Sequence, residues 1–330
     1  MDLRKEKQNL RVQQWVAFLS VIILVVKFAA YYLTNSIAIL TDALESIVNV
    51  AAGFIGLYSL YVAAKPRDEG HPYGHGKAEF ISAAIEGTLI ASAGAIIIYK
   101  ATKNLINPEP LQKIDTGIWL VAVTAVANLL IAFFCIKTGK KNNSMALMAS
   151  GKHLQTDTLS TVGIILGLVI LYFTGLRWID SVVALIFGAI IIFAGYKILR
   201  KSIAGIMDEA DEELLKQMVK VLNHVRKDSW VDLHNLRVIK YGSVLHLDCH
   251  LTLPWYLNVH EAHQEIDNLA SCVRDEFGET LELFVHTDGC LPFSCRLCSK
   301  SNCGERKMSF ERKLEWTLQN ISSNKKHELQ

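Results

Sequence analysis

Two short stretches place polar and ionisable side chains four residues apart inside otherwise apolar sequence. The first reads Thr41-Asp42-Ala43-Leu44-Glu45-Ser46-Ile47-Val48-Asn49. At 3.6 residues per turn, Glu45 and Asn49 fall about 40° apart on a helix and Asp42 about 60° to the other side, which makes one polar stripe. The second reads Lys152-His153-Leu154-Gln155-Thr156-Asp157, with His153 and Asp157 again four apart. An ionised group at mid-bilayer costs about 2.5 kcal/mol or more, so such stripes face protein or water. Two helices that each offer an i, i+4 pair can surround a cation with four side chains. That is the roughly tetrahedral nitrogen and oxygen array accepted by zinc and related divalent ions. Glu45, Asn49, His153 and Asp157 are therefore the predicted intramembrane metal site. The opposing reading, that such groups pair only to hold helices together, is adopted for Asp42, which Lys27 can neutralise, and for Glu86, Asn128 and Asp180.

The elements that carry these stripes are long apolar runs. The chain has 330 residues, 51% hydrophobic and only 20% charged, with positive mean hydropathy. A helix needs about 20 apolar residues to cross the hydrocarbon, and six segments qualify: 14 to 33, 37 to 63, 79 to 102, 115 to 136, 145 to 174 and 178 to 198. The basic start, Arg4, Lys5, Lys7 and Arg11, runs into a full-length span without a small-residue cleavage site, so the first span is expected to stay. Lys65, Arg67, Lys77, Lys137, Lys140, Lys141, Lys197, Arg200 and Lys201 fall on the side of the amino terminus, whereas Lys103, Lys113 and Arg177 face the other. By the positive-inside rule both termini are cytoplasmic, in a cell (inner) membrane. A net charge of +2 gives no reason to expect a nucleic-acid partner.

Past residue 205 the pattern changes. Residues 208 to 330 hold six of the seven cysteines and eight of the eleven histidines. Helical period over Glu212 to Arg226 is followed by alternation over Trp230 to Val238 and Ser243 to Leu253, a second helix over Val259 to Phe277 and a strand over Thr280 to His286. His246, Asp248 and His250 share one strand face, unusually polar for a core strand; His246 and His260 are read as surface residues. Between spans two and three, the Gly- and Pro-rich turn from Lys65 to Glu79 brings Asp68, His71 and His75 close enough to share a metal, or leaves them as solvated surface groups. After the last strand come Cys290, Cys295, Cys298 and Cys303, spaced C-x4-C-x2-C-x4-C. In a reducing compartment disulfides are disfavoured, so this reads as a metal knot, structural zinc before iron–sulfur. The expected domains are 1–205 in the membrane, 206–289 in water, the cysteine cluster 290–304 and a charged tail 305–330, with a short helix from Phe310 to Leu318 and a disordered end.

These residues resemble the cation diffusion facilitator family of metal transporters. The matching pieces are Asn35-Ser36-Ile37-Ala38, Asp42-Ala43-Leu44-Glu45, the loop His71-Pro72-Tyr73-Gly74-His75-Gly76-Lys77-Ala78-Glu79, the pair His153 and Asp157, and Asp180. The resemblance spans about residues 12 to 288 and leaves the cysteine cluster uncovered. It implies an α-helical membrane protein with six transmembrane helices and a C-terminal α+β ferredoxin-like (αββαβ) cytoplasmic domain, which is the element order the periodicity gives. It also implies a homodimer that exchanges outgoing metal for protons, and it places cytoplasmic ligands at His234, His250, His263, His286 and Asp288. Zinc-carrying relatives usually have Asp or His where Glu45 stands and Asp where Asn49 stands. With an amide at 49 the site keeps only two carboxylates, and proton release on binding comes chiefly from His153, whose ordinary pKa is about 6.5.

The expected function is thus proton-coupled efflux of a divalent transition metal, zinc first, with iron, manganese, cobalt and cadmium open, and no enzymatic step. Two rivals are a membrane-anchored metal sensor without transport and a non-metal proton-coupled secondary transporter.

Overall fold

The computed structural model describes residues 3–142, 145–241, 244–278 and 281–329. These form two compact units. The first comprises Met1–Ser59 and Ser82–Ser202; the second comprises Leu60–Ile81 and Ile203–Gln330.

Six long helices follow one another: α1 (Leu3–Thr34), α2 (Ile37–Ala63), α3 (Ala78–Ile106), α4 (Ile114–Asn142), α5 (Met145–Thr174) and α6 (Trp178–Ile206). Each carries a membrane-length apolar segment, and at most 33% of any segment's most apolar window is buried within the molecule. Trp15, Phe54, Tyr99, Leu130, Leu159 and Phe193 are exposed on them. Side chains of that kind, left unburied on six helices, require lipid, so the chain is a multi-pass membrane protein.

Close approach within this unit uses small residues. A Cβ at Gly195 of α6 would lie 2.7 Å from the backbone of Gly87 and Ala91 in α3. The two backbones touch there as apolar helices do when hydrophobic burial cannot drive them together. Asp180 at the start of α6 accepts from Ser36 Oγ at 2.5 Å and from the Ile37 and Ala38 amides at 2.7 and 3.3 Å. A carboxylate thus satisfies the orphan donors of the α2 amino terminus and complements its dipole. Asn35, at φ +55°, ends α1 in the left-handed conformation. This pairing explains why Asn35-Ser36-Ile37-Ala38 and Asp180, 142 to 145 residues apart in the chain, belong to one motif, and it sets the height of α2 in the bundle.

The second unit contains α7 (Glu212–Val225), β1 (Asp232–Tyr241), β2 (Val244–Leu253), α8 (Val259–Phe277) and β3 (Leu281–Gly289). β1 pairs antiparallel with β2, which pairs parallel with β3. This is the expected αββαβ order, with Ser243 and Thr280, the starts assigned to two strands, outside the described residues. Leu247, Cys249, Leu251 and Leu253 point to one face of β2 and pack with Leu215, Met218 and Leu222 of α7 and Leu269 and Val273 of α8. The opposite face of β2 carries His246, Asp248 and His250.

The tail differs from expectation. Residues 310–317 are not helical, and the only helix described in this stretch is α9 (Leu318–Ile321). Trp316 and Ile321 are buried in the same core as the sheet. Asn223 binds the Trp316 backbone in both directions, at 3.1 and 2.6 Å, and the Arg226 guanidinium lies 4.0 Å from the Trp316 ring centroid. Further on, the Asn235 amide donates to Ser323 O at 2.8 Å. The tail is a strap fastened across the domain, because one buried indole and a set of backbone hydrogen bonds outweigh its charged composition.

Candidate functional site

The two stripes meet in the helix bundle. Asn49 Nδ2 of α2 donates to Asp157 Oδ2 of α5 at 2.9 Å, and His153 Nε2 lies 3.8 Å from the same oxygen. Asn49, Asn128, His153 and Asp157 line a cavity of about 230 Å³ together with Ser20 and Ser46. Next to it, buried Lys27 donates to Asp42 Oδ1 and Ser46 Oγ, both at 2.9 Å, and the Thr161 hydroxyl lies 2.7 Å from Asp42 Oδ1. The ion pair expected of Lys27 and Asp42 therefore exists, and it ties α1, α2 and α5 together beside the cavity. Glu45 is not drawn in as closely. Among the described residues, Glu45, His153 and Asp157 do not bring ligand atoms within 4.8 Å of one another as a set, and Glu45 does not line the cavity.

Asn128 was missed as a site residue. It is 4% exposed inside α4 and faces the cavity beside Asp157. Its only signal in sequence was a carboxamide in the middle of an apolar span, the same signal that Asn49 gives; its i−4 neighbour is Thr124 and no ionisable group stands at i±4.

In the second unit the strand register assembles a row of imidazoles. His234, His250 and His286 stand opposite one another on β1, β2 and β3, where adjacent strands lie about 4.8 Å apart. Ring centroids are 5.1 Å apart for His234 and His250 and 4.6 Å for His250 and His286. Asp288, two residues beyond His286 on the same face, closes the row. Its Oδ2 is 3.5 Å from His234 Nε2 and 3.4 Å from His250 Nδ1, and its Oδ1 is 3.9 Å from His286 Nε2. Burial and the neighbouring imidazoles push the His250 pKa down, which favours the neutral, ligand-competent ring. Asp232 Oδ2 lies 3.6 Å from His234 Nδ1. The strap reaches the same place: Lys326 Nζ is 3.2 Å from Asp288 Oδ1, and His327 Nδ1 is 2.5 Å from Asp232 Oδ1. Against the raising effect of burial, hydrogen bonds from His234 and His327 hold the Asp232 carboxyl well below the usual range.

The turn after α2 forms a second cluster. Asp68 Oδ1 is 3.1 Å from His71 Nδ1, Asp68 Oδ2 is 3.3 Å from His75 Nε2, and the three side chains offer ligand atoms within 4.8 Å of one another. His71 and Asp68 are exposed, while His75 Nδ1 is buried without a hydrogen-bond partner.

A family model described as the cation efflux transmembrane domain matches residues 15–207, and one described as the cation efflux protein cytoplasmic domain matches residues 210–290. The chain belongs to the cation efflux family. A Synechocystis protein described as an uncharacterized transporter is 32% identical over 249 residues, 76% of this chain and 80% of that protein. The cation-efflux pump FieF of Yersinia enterocolitica is 27% identical over 273 residues, covering 82% and 89% of the two chains. FieF of Yersinia pestis (strain Pestoides F) is 26% identical over 277 residues, 82% of this chain and 90% of that one.

Within this cation efflux fold, two expectations from sequence need correction. His263 does not join the histidine row; it stands on α8, 68% exposed, 3.8 Å from Asp267. His246 is not a surface residue. It is 4% exposed, enclosed by the rings of Tyr73, Tyr241 and Phe284, and 3.3 Å from Glu282. Burial lowers its pKa, so it serves as a neutral core group. The four clustered cysteines line one cavity, but among the described residues no three of their sulfurs lie within 4.8 Å of one another.

Proposed function

We propose that this cation efflux protein exports a divalent transition metal, zinc first, in exchange for protons, as a homodimer in the cell (inner) membrane with both termini cytoplasmic. The observation that carries this reading is the contact of Asn49 and His153 with one carboxylate, Asp157, at the wall of a largely apolar cavity within the bundle. Structural glue accounts poorly for it, because His153 is 55% exposed and contacts a carboxylate of its own helix. Lys27, Asp42 and Thr161 already supply the interhelical tie.

In this mechanism His153 and Asp157 receive the ion first. Asn49 now donates to Asp157, so it must rotate its amide to present Oδ1, and Glu45 completes the set by a side-chain swing from one turn away. Loss of the Asn49 hydrogen bond is offset by metal coordination only when the ion is bound, which couples occupancy to the arrangement of α2 against α5. Protons that return to His153 and the carboxylates release the ion on the far side.

The row His234, His250, His286 and Asp288 and the cluster Asp68, His71 and His75 are separate cytoplasmic metal sites in this reading. They sense or deliver the ion and take no part in the crossing. The test is flux into proteoliposomes containing a pH-sensitive dye. Zinc added outside should move protons in wild type and not in Asp157→Ala. Zinc binding without proton movement would favour a sensor, and proton movement independent of any divalent metal would favour a non-metal transporter.

A further inference from the structure

The segment that leaves β3 is not used by transport, and it is unusually constrained. The Cys290 amide donates to Leu253 O at 2.8 Å, which fixes the first cysteine at the end of the sheet. A short 3-10 helix, Pro292–Arg296, then turns the chain back. The Arg306 guanidinium reaches over the loop and donates to Cys295 O at 3.0 Å, Cys298 O at 3.0 Å and Lys300 O at 2.7 Å. One side chain thus holds three carbonyls of the cysteine loop in a ring. The Lys307 amide approaches Cys295 Sγ at 3.4 Å. Cys290, Cys295, Cys298 and Cys303 all line one cavity of about 160 Å³ together with Trp255 and Tyr256. None of the four is in a disulfide.

Few apolar groups besides Leu297 and Cys298 are buried here, so hydrophobic burial alone does not explain a loop of this shape. Four thiols around one cavity, which Glu305, Arg306 and Lys307 also line with a net positive charge, match the donor set of a soft metal centre. We propose that Cys290, Cys295, Cys298 and Cys303 bind a metal centre held wholly by thiolates, which locks the root of the C-terminal strap to the end of the sheet. Each thiol gives its proton to solvent as its sulfur–metal bond forms.

Either of two occupants has this chemistry. A single Zn²⁺ at about 2.3 Å from each sulfur needs sulfurs about 3.8 Å apart, so it would draw the loop inward. An iron–sulfur cluster, also held by four cysteines, spans wider sulfurs. The site is independent of the transport site, and the strap it anchors carries Trp316 into the core and Lys326 to Asp288.

The experiment uses the full chain in detergent after dialysis against a chelator. Zinc or iron K-edge absorption should report a sulfur-only first shell. One zinc per chain without acid-labile sulfide identifies zinc, and iron with acid-labile sulfide identifies a cluster. Cys295→Ser/Cys298→Ser should lose that metal and expose the strap to trypsin at least tenfold faster, while Asp157→Ala should keep both the metal and the protection. Wild-type protein whose retained metal shows only nitrogen and oxygen neighbours, or which retains none, would overturn the proposal without recourse to any variant. Unchanged trypsin cleavage in a Cys295→Ser/Cys298→Ser protein that has lost the metal would overturn the locking role.

Discussion

Asn49→Asp tests the proposed transport site at its one uncharged, non-titrating member. The wild-type amide donates to Asp157 Oδ2 at 2.9 Å, a hydrogen bond to a charged group worth about 1.5–3 kcal/mol. An aspartate there removes the donor and sets two carboxylates side by side. Two like charges about 4 Å apart repel by about 4 kcal/mol at an effective dielectric constant near 20. A divalent ion between them relieves that repulsion and gains a second charged ligand. If only about 2 kcal/mol of this appears in binding, zinc affinity rises about 30-fold. Titration calorimetry in buffers of differing ionisation enthalpy gives both the affinity and the protons released per metal. Done in a His71→Ala/His250→Ala background, with the cysteine cluster already filled by its retained metal, it reports the intramembrane site without the other cytoplasmic clusters. The reasoning predicts tighter zinc binding and more protons released. An affinity within twofold of wild type together with an unchanged proton count would refute it, because Asn49 would then not belong to the site.

Lys27→Met should leave Asp42 buried without its cation, at a cost of about 3–5 kcal/mol seen as early unfolding of the bundle in detergent; an unchanged melting curve would show that the pair contributes nothing. Trp316→Ala should destabilise the C-terminal unit by about 3–5 kcal/mol through the cavity it leaves, read by denaturant unfolding, and it should free the strap for proteolysis. Lys326→Ala removes a cation 3.2 Å from Asp288 and should tighten metal binding at the histidine row severalfold; weaker binding would mean that Lys326 positions the carboxylate rather than competing for it. Asp211 caps α7, and its pKa is lowered by the hydrogen bond from Lys240 and by the Leu214 amide. Its contribution is therefore present above the ordinary aspartate pKa of about 3.9 and lost as pH falls through the lowered folded value. The acid limb of α7 unfolding should accordingly move to higher pH in Asp211→Ala.

The spans were legible because lipid demands about 20 apolar residues in one run, a constraint satisfied locally in sequence. The observed helices run past several predicted ends, to Ile106, Lys141 and Ile206, since a helix continues through polar residues once it leaves the hydrocarbon. The stripes on α2 and α5 and the order of the C-terminal elements were legible for the same reason: each is a matter of local period. What depended on tertiary packing was not. Trp316 sits among charges, and only its packing into the core that α7 and the sheet share explains its burial. His246 shares a face of β2 with Asp248 and His250 and so read as a surface residue, yet three aromatic rings cover it. Asn128 lacks an ionisable neighbour at i±4 and so looked solitary, although it lines the same cavity as Asp157. Glu45 and Asn49 share a helix face, but 40° of rotation and a longer side chain are enough to keep Glu45 out of the cavity wall.

The central claim, that His153 and Asp157 carry a divalent ion in exchange for protons, is tested most directly by zinc-driven proton flux in proteoliposomes reconstituted with wild type, His153→Ala and Asp157→Ala. The account predicts robust exchange in wild type and its loss in both variants with folding intact. Exchange that survives in the Asp157→Ala protein would contradict it.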